Sequence, residues 1–148
     1  MEQFRSTFNN SMFTGATVVC TAGVPTVIAS YQVPAGEEVK LGYGQFSDQV
    51  GAIGRNYIDL QDANGDADGL VRISVHSPQD RPLKILTEGR TEILRQGTTD
   101  RRLQVPLPEM VGTLAEDRKM VIEFIADTTK TVTQADSTIL VDVTKRVV

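Results

Sequence analysis

The chain has 148 residues and a formal net charge of −4, with 15 Lys and Arg against 19 Asp and Glu. This length suits one domain and is too short for two of ordinary size, and a mildly acidic chain lacks the basic face of a general nucleic-acid binder. A single Cys and a single His exclude an intrachain disulfide, a cysteine zinc site and the paired-histidine metal motifs.

The charges are unevenly distributed, because no charged side chain occurs from Ser6 to Gly36. Polar residues interrupt every apolar run in this stretch, so it falls short of the roughly 20 apolar residues that a membrane span needs. Glu2 stands where a secretory signal would have basic residues, which argues against a signal peptide. We therefore expect no membrane span, and interpret the stretch as an arm and two strands that become buried.

The N-terminal segment carries Phe4, Phe8 and Met12 at a spacing of four, with Phe13 beside the last. This spacing places the side chains on one face of either a helix or a strand, so it does not decide between them. Apolar side chains in an uncharged polar background are typical of interface cores, and these four residues are our candidate contacts with a partner subunit. The alternative is that the segment pairs as an extra strand over its own domain and covers a sheet edge.

Strand-like runs dominate the rest of the chain. Those rich in β-formers or alternating between apolar and polar residues are, in chain order, Ala16–Thr21, Thr26–Val33, Glu37–Tyr43, Tyr57–Asp62, Leu70–Ser77, Leu83–Glu88, Thr91–Arg95, Arg101–Val105 and Ser137–Arg146. The Gly-rich segment from Gly42 to Asn56 is predicted to be a loop. Tyr57–Asp62 and Leu70–Ser77 form the clearest hairpin candidate.

Residues 114–126 are ambiguous between a strand and a helix. As a strand, Lys119–Ala126 places Met120, Ile122 and Phe124 on one face, whereas a helix would form a stripe that begins at Leu114. We favour a strand preceded by a short helical or loop turn, because the residues that follow are rich in Thr and Val.

The predicted fold class is all-β. About eight to ten short strands separated by turn signals, without alternating helices, favour a single antiparallel β-sandwich of jelly-roll-like form. We place an extended N-terminal arm at residues 1–15 and the β-sandwich domain at residues 16–148.

The most metal-like pattern is a set of oxygen donors at alternate positions, Asp62, Asn64, Asp66 and Asp68. Calcium loops of the EF-hand type place ligands this way, but this segment lacks both the Gly and the bidentate Glu that such loops require. We favour a turn that links the two flanking strands, and expect no metal and no cofactor. A calcium-dependent ligand- or glycan-binding module is the alternative.

His76 is the one conventional general base, with Ser74, Ser77 and Asp80 nearby in sequence. No Gly-x-Ser-x-Gly motif is present, so a surface histidine on the polar face of a strand is the preferred interpretation. Cys20, inside an apolar run, is expected to be a small buried hydrophobe.

Other candidates for chemistry are weaker. Gly42–Gly44 and Gly51–Arg55 lack the Lys-Ser/Thr of a phosphate loop, and the basic pairs Arg101-Arg102 and Lys145-Arg146 are interpreted as solvated positions. No catalytic constellation remains, and we predict that the chain is not an enzyme.

The segment Ser30-Tyr-Gln-Val-Pro34-Ala-Gly36-Glu-Glu-Val-Lys-Leu-Gly-Tyr-Gly resembles a strand–turn–strand pattern of virion structural proteins of the β-sandwich or jelly-roll type. The resemblance implies a capsid or capsid-decorating subunit, located in the virion, that acts through symmetric contacts and has no active site. Its partners would be copies of itself, with a trimer as the natural grouping, and other capsid proteins.

Overall fold

The structure is a computed structural model that describes residues 3–41, 56–92 and 113–148. These ranges contain one short 3-10 helix, η1 (Asn10–Met12), two helical residues at Thr91 and Glu92, and the following strands: β1 (Gln3–Phe8), β2 (Thr17–Cys20), β3 (Thr26–Gln32), β4 (Glu37–Leu41), β5 (Asn56–Asp59), β6 (Gln61–Asp62), β7 (Gly65–Asp66), β8 (Gly69–His76), β9 (Pro82–Arg90), β10 (Thr113–Leu114), β11 (Lys119–Ala126), β12 (Lys130–Thr133) and β13 (Thr138–Val147). Every strand pair among them is antiparallel, so the all-β prediction is confirmed. None of the helices in these ranges has the length and apolar character to cross a membrane.

Several predictions fall outside the described residues. These are the Gly-rich loop from Gly42 with its two phosphate-loop candidates, the run Arg101–Val105 with its basic pair, and most of Thr91–Arg95. The two described residues of that last run, Thr91 and Glu92, are helical, so the strand predicted to begin at Thr91 is wrong there.

The first sheet, sheet A, is built around the long strand β13. One edge of β13 pairs with β1, from Gln3 opposite Arg146 to Phe8 opposite Val141. Its other edge pairs with β5 along the first half and with β4 along the second half, and β10 extends the sheet beyond β4. Ile139, Val141 and Val143 are buried on one face of β13, as their alternation predicted, but Asp142 and Thr144 on the opposite face are buried as well.

The second sheet, sheet B, has the order β3-β11-β8-β9. β11 lies between β3 and β8, and it buries Met120, Ile122, Phe124 and Ala126, so the preference for a strand at Lys119–Ala126 is confirmed. A tight turn precedes it, in which the amide of Arg118 donates to the carbonyl of Ala115. The third sheet, sheet C, has the order β2-β12-β6-β7.

The predicted hairpin between Tyr57–Asp62 and Leu70–Ser77 is wrong. The first run is divided at the buried Leu60, so that β5 joins β13 in sheet A while β6 joins β12 and β7 in sheet C. β8 instead forms its hairpin with β9, which continues through Gly89 because that residue pairs with Val71. Alternation identifies a strand and its buried face, but it carries no information about the partner strand.

The core draws apolar side chains from all three sheets. The largest side chains that are almost wholly removed from solvent are Phe124, Ile28, Leu41, Ile58, Leu60, Ile73, Met120, Ile122 and Ile139. Each contributes on the order of 1.5–3 kcal/mol through transfer from water. Sheets A and B also meet through an aromatic pair, since the ring centroids of Phe8 in β1 and Tyr31 in β3 are 4.3 Å apart. Cys20 is buried in this core, as predicted.

Candidate functional site

The structure separates the four candidate interface residues of the N-terminal segment. Phe8, Met12 and Phe13 are buried in the core of their own chain, whereas Phe4 keeps 47% of its surface exposed. Only Phe4 is therefore available to a partner in this conformation.

A hydrogen-bonded clamp at Asn10 explains how an uncharged polar segment is held in place. Its side-chain amide donates to the carbonyls of Gln134 (3.1 Å) and Ser137 (2.6 Å), and its Oδ1 accepts from the amide of Ile139 at 2.7 Å. Together with the β1–β13 ladder, these bonds attach the segment to its own domain as an extra strand. This arrangement is the second of the two interpretations that the sequence left open.

Phe4 belongs to a small exposed patch at one end of sheet A. Phe4 pairs with Lys145 and Val147 pairs with Glu37 in the ladders of β13, so all four side chains lie on the same face of the sheet. Val147 is exposed, and the carboxylate of Glu37 has no hydrogen-bond or ion-pair partner among the described residues. We call Phe4, Val147 and Glu37 the end patch.

The ammonium group of Lys145 has interaction partners within its own chain. Its ammonium donates to the hydroxyl of Tyr31 at 3.1 Å and lies 4.9 Å from the centre of that ring and 5.6 Å from the centre of Phe8. The neighbouring Arg146 forms an ion pair with Glu38 at 2.6 Å. The prediction that Lys145-Arg146 is merely solvated is therefore wrong, because both side chains are half-buried and bonded.

A second surface feature is a groove of about 200 Å³ between sheets A and B, which we call the β9–β10 groove. Six aliphatic side chains contribute to its lining: Leu41, Val75, Leu83, Leu86, Leu114 and Ala115. Lys84 and Arg118 also line it, and none of the described carboxylates does. Neither cation has a side-chain partner in the part of the chain that the structure describes. No pattern in the sequence pointed to this groove, because its lining comes from strands distant in the chain.

The Asp62–Asp68 segment forms the β6–β7 hairpin. The two carboxylate oxygens of Asp62 accept hydrogen bonds from the amides of Asn64 (2.9 Å) and Thr131 (3.0 Å), and these bonds lower the pKa of Asp62 below its usual value. Asp66 accepts from the side-chain amide of Gln61 at 2.8 Å. Residues 3–41, 56–92 and 113–148 contain no group of three or more His, Cys, Asp or Glu side chains placed to hold a metal.

The segment is a turn, as predicted, but it does not connect the strands that it was predicted to connect. The turn closes a hairpin of its own within sheet C, rather than joining the two strands that flank it in sequence. The carboxylate of Asp62 accepts hydrogen bonds from the backbone of the turn and of β12.

His76 is not the surface histidine that its position on a polar strand face predicted. It is only 7% exposed, and its Nε2 lies 3.1 Å from the Oγ of the equally buried Ser74. Asp80 does not complete a catalytic triad, because its exposed carboxylate accepts from the ammonium of Lys119 at 2.8 Å, which lowers the pKa of Asp80. The Ser74 hydroxyl and the Nε2 of His76 are therefore partners of each other, and both residues are buried.

Comparison with known proteins gives a fold likeness. No protein-family model and no curated protein matches the chain. Among solved structures, the complex of VP16 and VP17, the two major capsid proteins of bacteriophage P23-77, matches with a TM-score of 0.68 and 8% identity over 100% of both chains. VP17, a capsid protein of the same phage, matches with a TM-score of 0.64 and 10% identity over 100% of this chain and 98% of that one. The resemblance to virion structural proteins is thus confirmed at the level of the fold: over its whole length, the chain is folded like the capsid proteins of bacteriophage P23-77.

Proposed function

We propose that the chain is a structural subunit of a viral particle, located in the virion as a capsid or capsid-decorating protein. The observation that carries this proposal is the fold likeness to P23-77 capsid proteins, which covers all of this chain and at least 98% of each matched chain. Because one fold hosts many functions, the absence of surface chemistry in the described residues adds weight: the histidine is buried and the acidic loop is a turn. The proposed role is not enzymatic.

The arrangement that we propose is a jelly-roll-like sandwich of sheets A and B with sheet C at one end. Three contacts support it. Phe8 of sheet A stacks on Tyr31 of sheet B, η1 contacts both β3 and β13, and the β9–β10 groove is lined from both sheets. In this arrangement β1 faces β3 along one side, and β10 faces β9 along the other.

The partners in this proposal are copies of the chain, first of all in a trimer, and other capsid proteins. The VP16–VP17 complex is an assembly of two capsid proteins, which supports a coat built from more than one kind of subunit. We keep the division into residues 1–15 and 16–148 as part of the proposal, with the exposed Phe4 as the contact residue of the first segment and the sheets as the body of the second.

Particle composition tests the proposal directly. Particles from a culture that produces the chain are purified on a density gradient, and their proteins are identified by mass spectrometry and by immunogold labelling with an antibody against the folded chain. We expect the chain as an abundant band that co-sediments with intact particles and is labelled on their surface. A chain that stays with the soluble proteins while the particles lack it would refute the proposal.

A further inference from the structure

The β9–β10 groove lies beside β9, which is an outer strand of sheet B among the described residues and is poorly suited to accept another strand. The pairing of β8 with β9 shifts register twice, between Ile73 and Ser74 and between Val75 and His76, and Pro82 offers no amide at the start of β9. Bulges and proline are devices that keep edge strands from pairing with other chains. A partner at this side is therefore expected to insert a side chain between the sheets rather than to extend sheet B.

The size and lining of the groove fit one aromatic ring. An engineered cavity of about 150 Å³ lined by similar apolar side chains holds a benzene molecule, and the groove offers about 200 Å³. Leu83, which lines it, is 52% exposed, so part of this apolar surface faces water when the groove is empty. Filling the groove would remove that surface from solvent.

The positive charges at the groove favour a partner that carries a negative charge. Lys84 and Arg118 stand at an apolar surface without side-chain partners among the described residues, so a partner that brings a carboxylate is favoured over one that brings a cation. The end patch has this combination, because it pairs the half-exposed ring of Phe4 with the unpartnered carboxylate of Glu37. The groove and the end patch are thus complementary in both apolar surface and charge, and both occur on every copy of the chain.

We propose that the end patch of one copy docks at the β9–β10 groove of a second copy, with the ring of Phe4 in the groove and the carboxylate of Glu37 facing Lys84 and Arg118. This inference rests on the proposed function and specifies one of its contacts. Because the contact joins two different surfaces, a docked pair of copies keeps one free groove and one free patch, and the copies continue into a closed ring or an open array.

Sedimentation equilibrium of the full chain over a range of concentrations tests this contact. We expect the wild type to self-associate, and we expect Phe4→Ser, and separately the pair Lys84→Glu with Arg118→Glu, to raise the dissociation constant by at least about tenfold. Two matched controls remove exposed apolar side chains away from the groove and the end patch, Val24→Ser (49% exposed) and Val19→Ser (63% exposed), and should leave association unchanged. Circular dichroism and thermal melts confirm that each variant is folded.

Charge exchange makes the test specific. Glu37→Lys alone should weaken association, whereas its combination with Lys84→Glu and Arg118→Glu should restore the dissociation constant to within about threefold of the wild-type value. A wild type that stays monomeric up to about 1 mM, unaffected association in Phe4→Ser, or absence of rescue would each overturn the inference. If particles nevertheless contain the chain, the proposed function survives and only this contact is lost.

Discussion

Gly69, the first residue of β8, is expected to be the glycine least able to accept a methyl group among those that the structure describes. A Cβ at this position would overlap the carbonyl oxygen of Ile125, lie 2.7 Å from Cε1 of Phe124 and lie 3.0 Å from Cα of Ala126. Its backbone is not in the left-handed region, so the penalty for Gly69→Ala comes from the close approach of β11 and not from backbone strain.

The magnitude follows from which atoms would have to move. Overpacking costs about 1–3 kcal/mol of stability where side chains can adjust. Here two of the three nearest atoms belong to the backbone of β11, which adjusts less easily, so we expect a loss of about 3 kcal/mol. A shift of β8 would also disturb the bond from the Gly69 amide to Oγ1 of Thr91, which measures 3.0 Å. For a chain of this size, about 3 kcal/mol corresponds to a fall in Tm of roughly 10 °C.

Urea unfolding followed by circular dichroism gives the free energy of unfolding of the variant and of a matched control. In Gly15→Ala the new Cβ would be 3.5 Å from the carbonyl oxygen of Thr17, an ordinary contact, so its stability should stay within about 0.5 kcal/mol of wild type. If Gly69→Ala were equally neutral, the close approach of β8 and β11 at this point would be refuted.

Three further outcomes are expected. Phe8→Ala should lower the free energy of unfolding by about 3–5 kcal/mol, because it removes a buried ring stacked on Tyr31; a loss below about 1 kcal/mol in urea unfolding would contradict this packing. Asp62→Asn should lower Tm at neutral pH, because two backbone amides stabilise the ionised carboxylate only in the folded state. The difference in Tm from wild type should shrink as the pH falls through the lowered folded-state pKa of Asp62. A difference in Tm that does not change with pH would contradict this role of Asp62. Burial raises the pKa of the Cys20 thiol, so this thiol should react slowly with a disulfide reagent at mildly alkaline pH in the native chain and rapidly in urea; equal rates would show that it is accessible.

Local patterns in the sequence were sufficient to locate strands and their buried faces. The alternation of Ile139, Val141 and Val143 and of Met120, Ile122 and Phe124 predicted β13 and β11, because successive side chains of a strand point to opposite faces. It did not predict that the opposite faces are partly covered as well, at Asp142, Thr144 and Val121. Pairing between strands has no such local signal. Nothing near residues 57–62 indicated that this run would divide between β13 and β12.

The candidate sites show the same limit. The spacing of Phe4, Phe8, Met12 and Phe13 marked an apolar segment, but the end of sheet A leaves Phe4 exposed while the other three enter the core. His76 was placed on the polar face of β8, yet that face is also covered, since Ser74 and Val121 on the paired positions of β8 and β11 are buried with it. Whether a second layer lies over a strand face depends on distant parts of the chain.

The central position of β13 has a consequence for the timing of folding. Sheet A joins Gln3–Phe8 to residues 141–146, and the same strand is the partner of β4 and β5. A ribosome releases the early strands first, but among the described residues β1 and β5 have no partner in this sheet until β13 has been made, and β4 has only the two-residue strand β10. Pairing across so much of the chain makes folding slow relative to proteins with local contacts. The end patch also contains Val147, so contacts through this surface must wait until β13 has been synthesised.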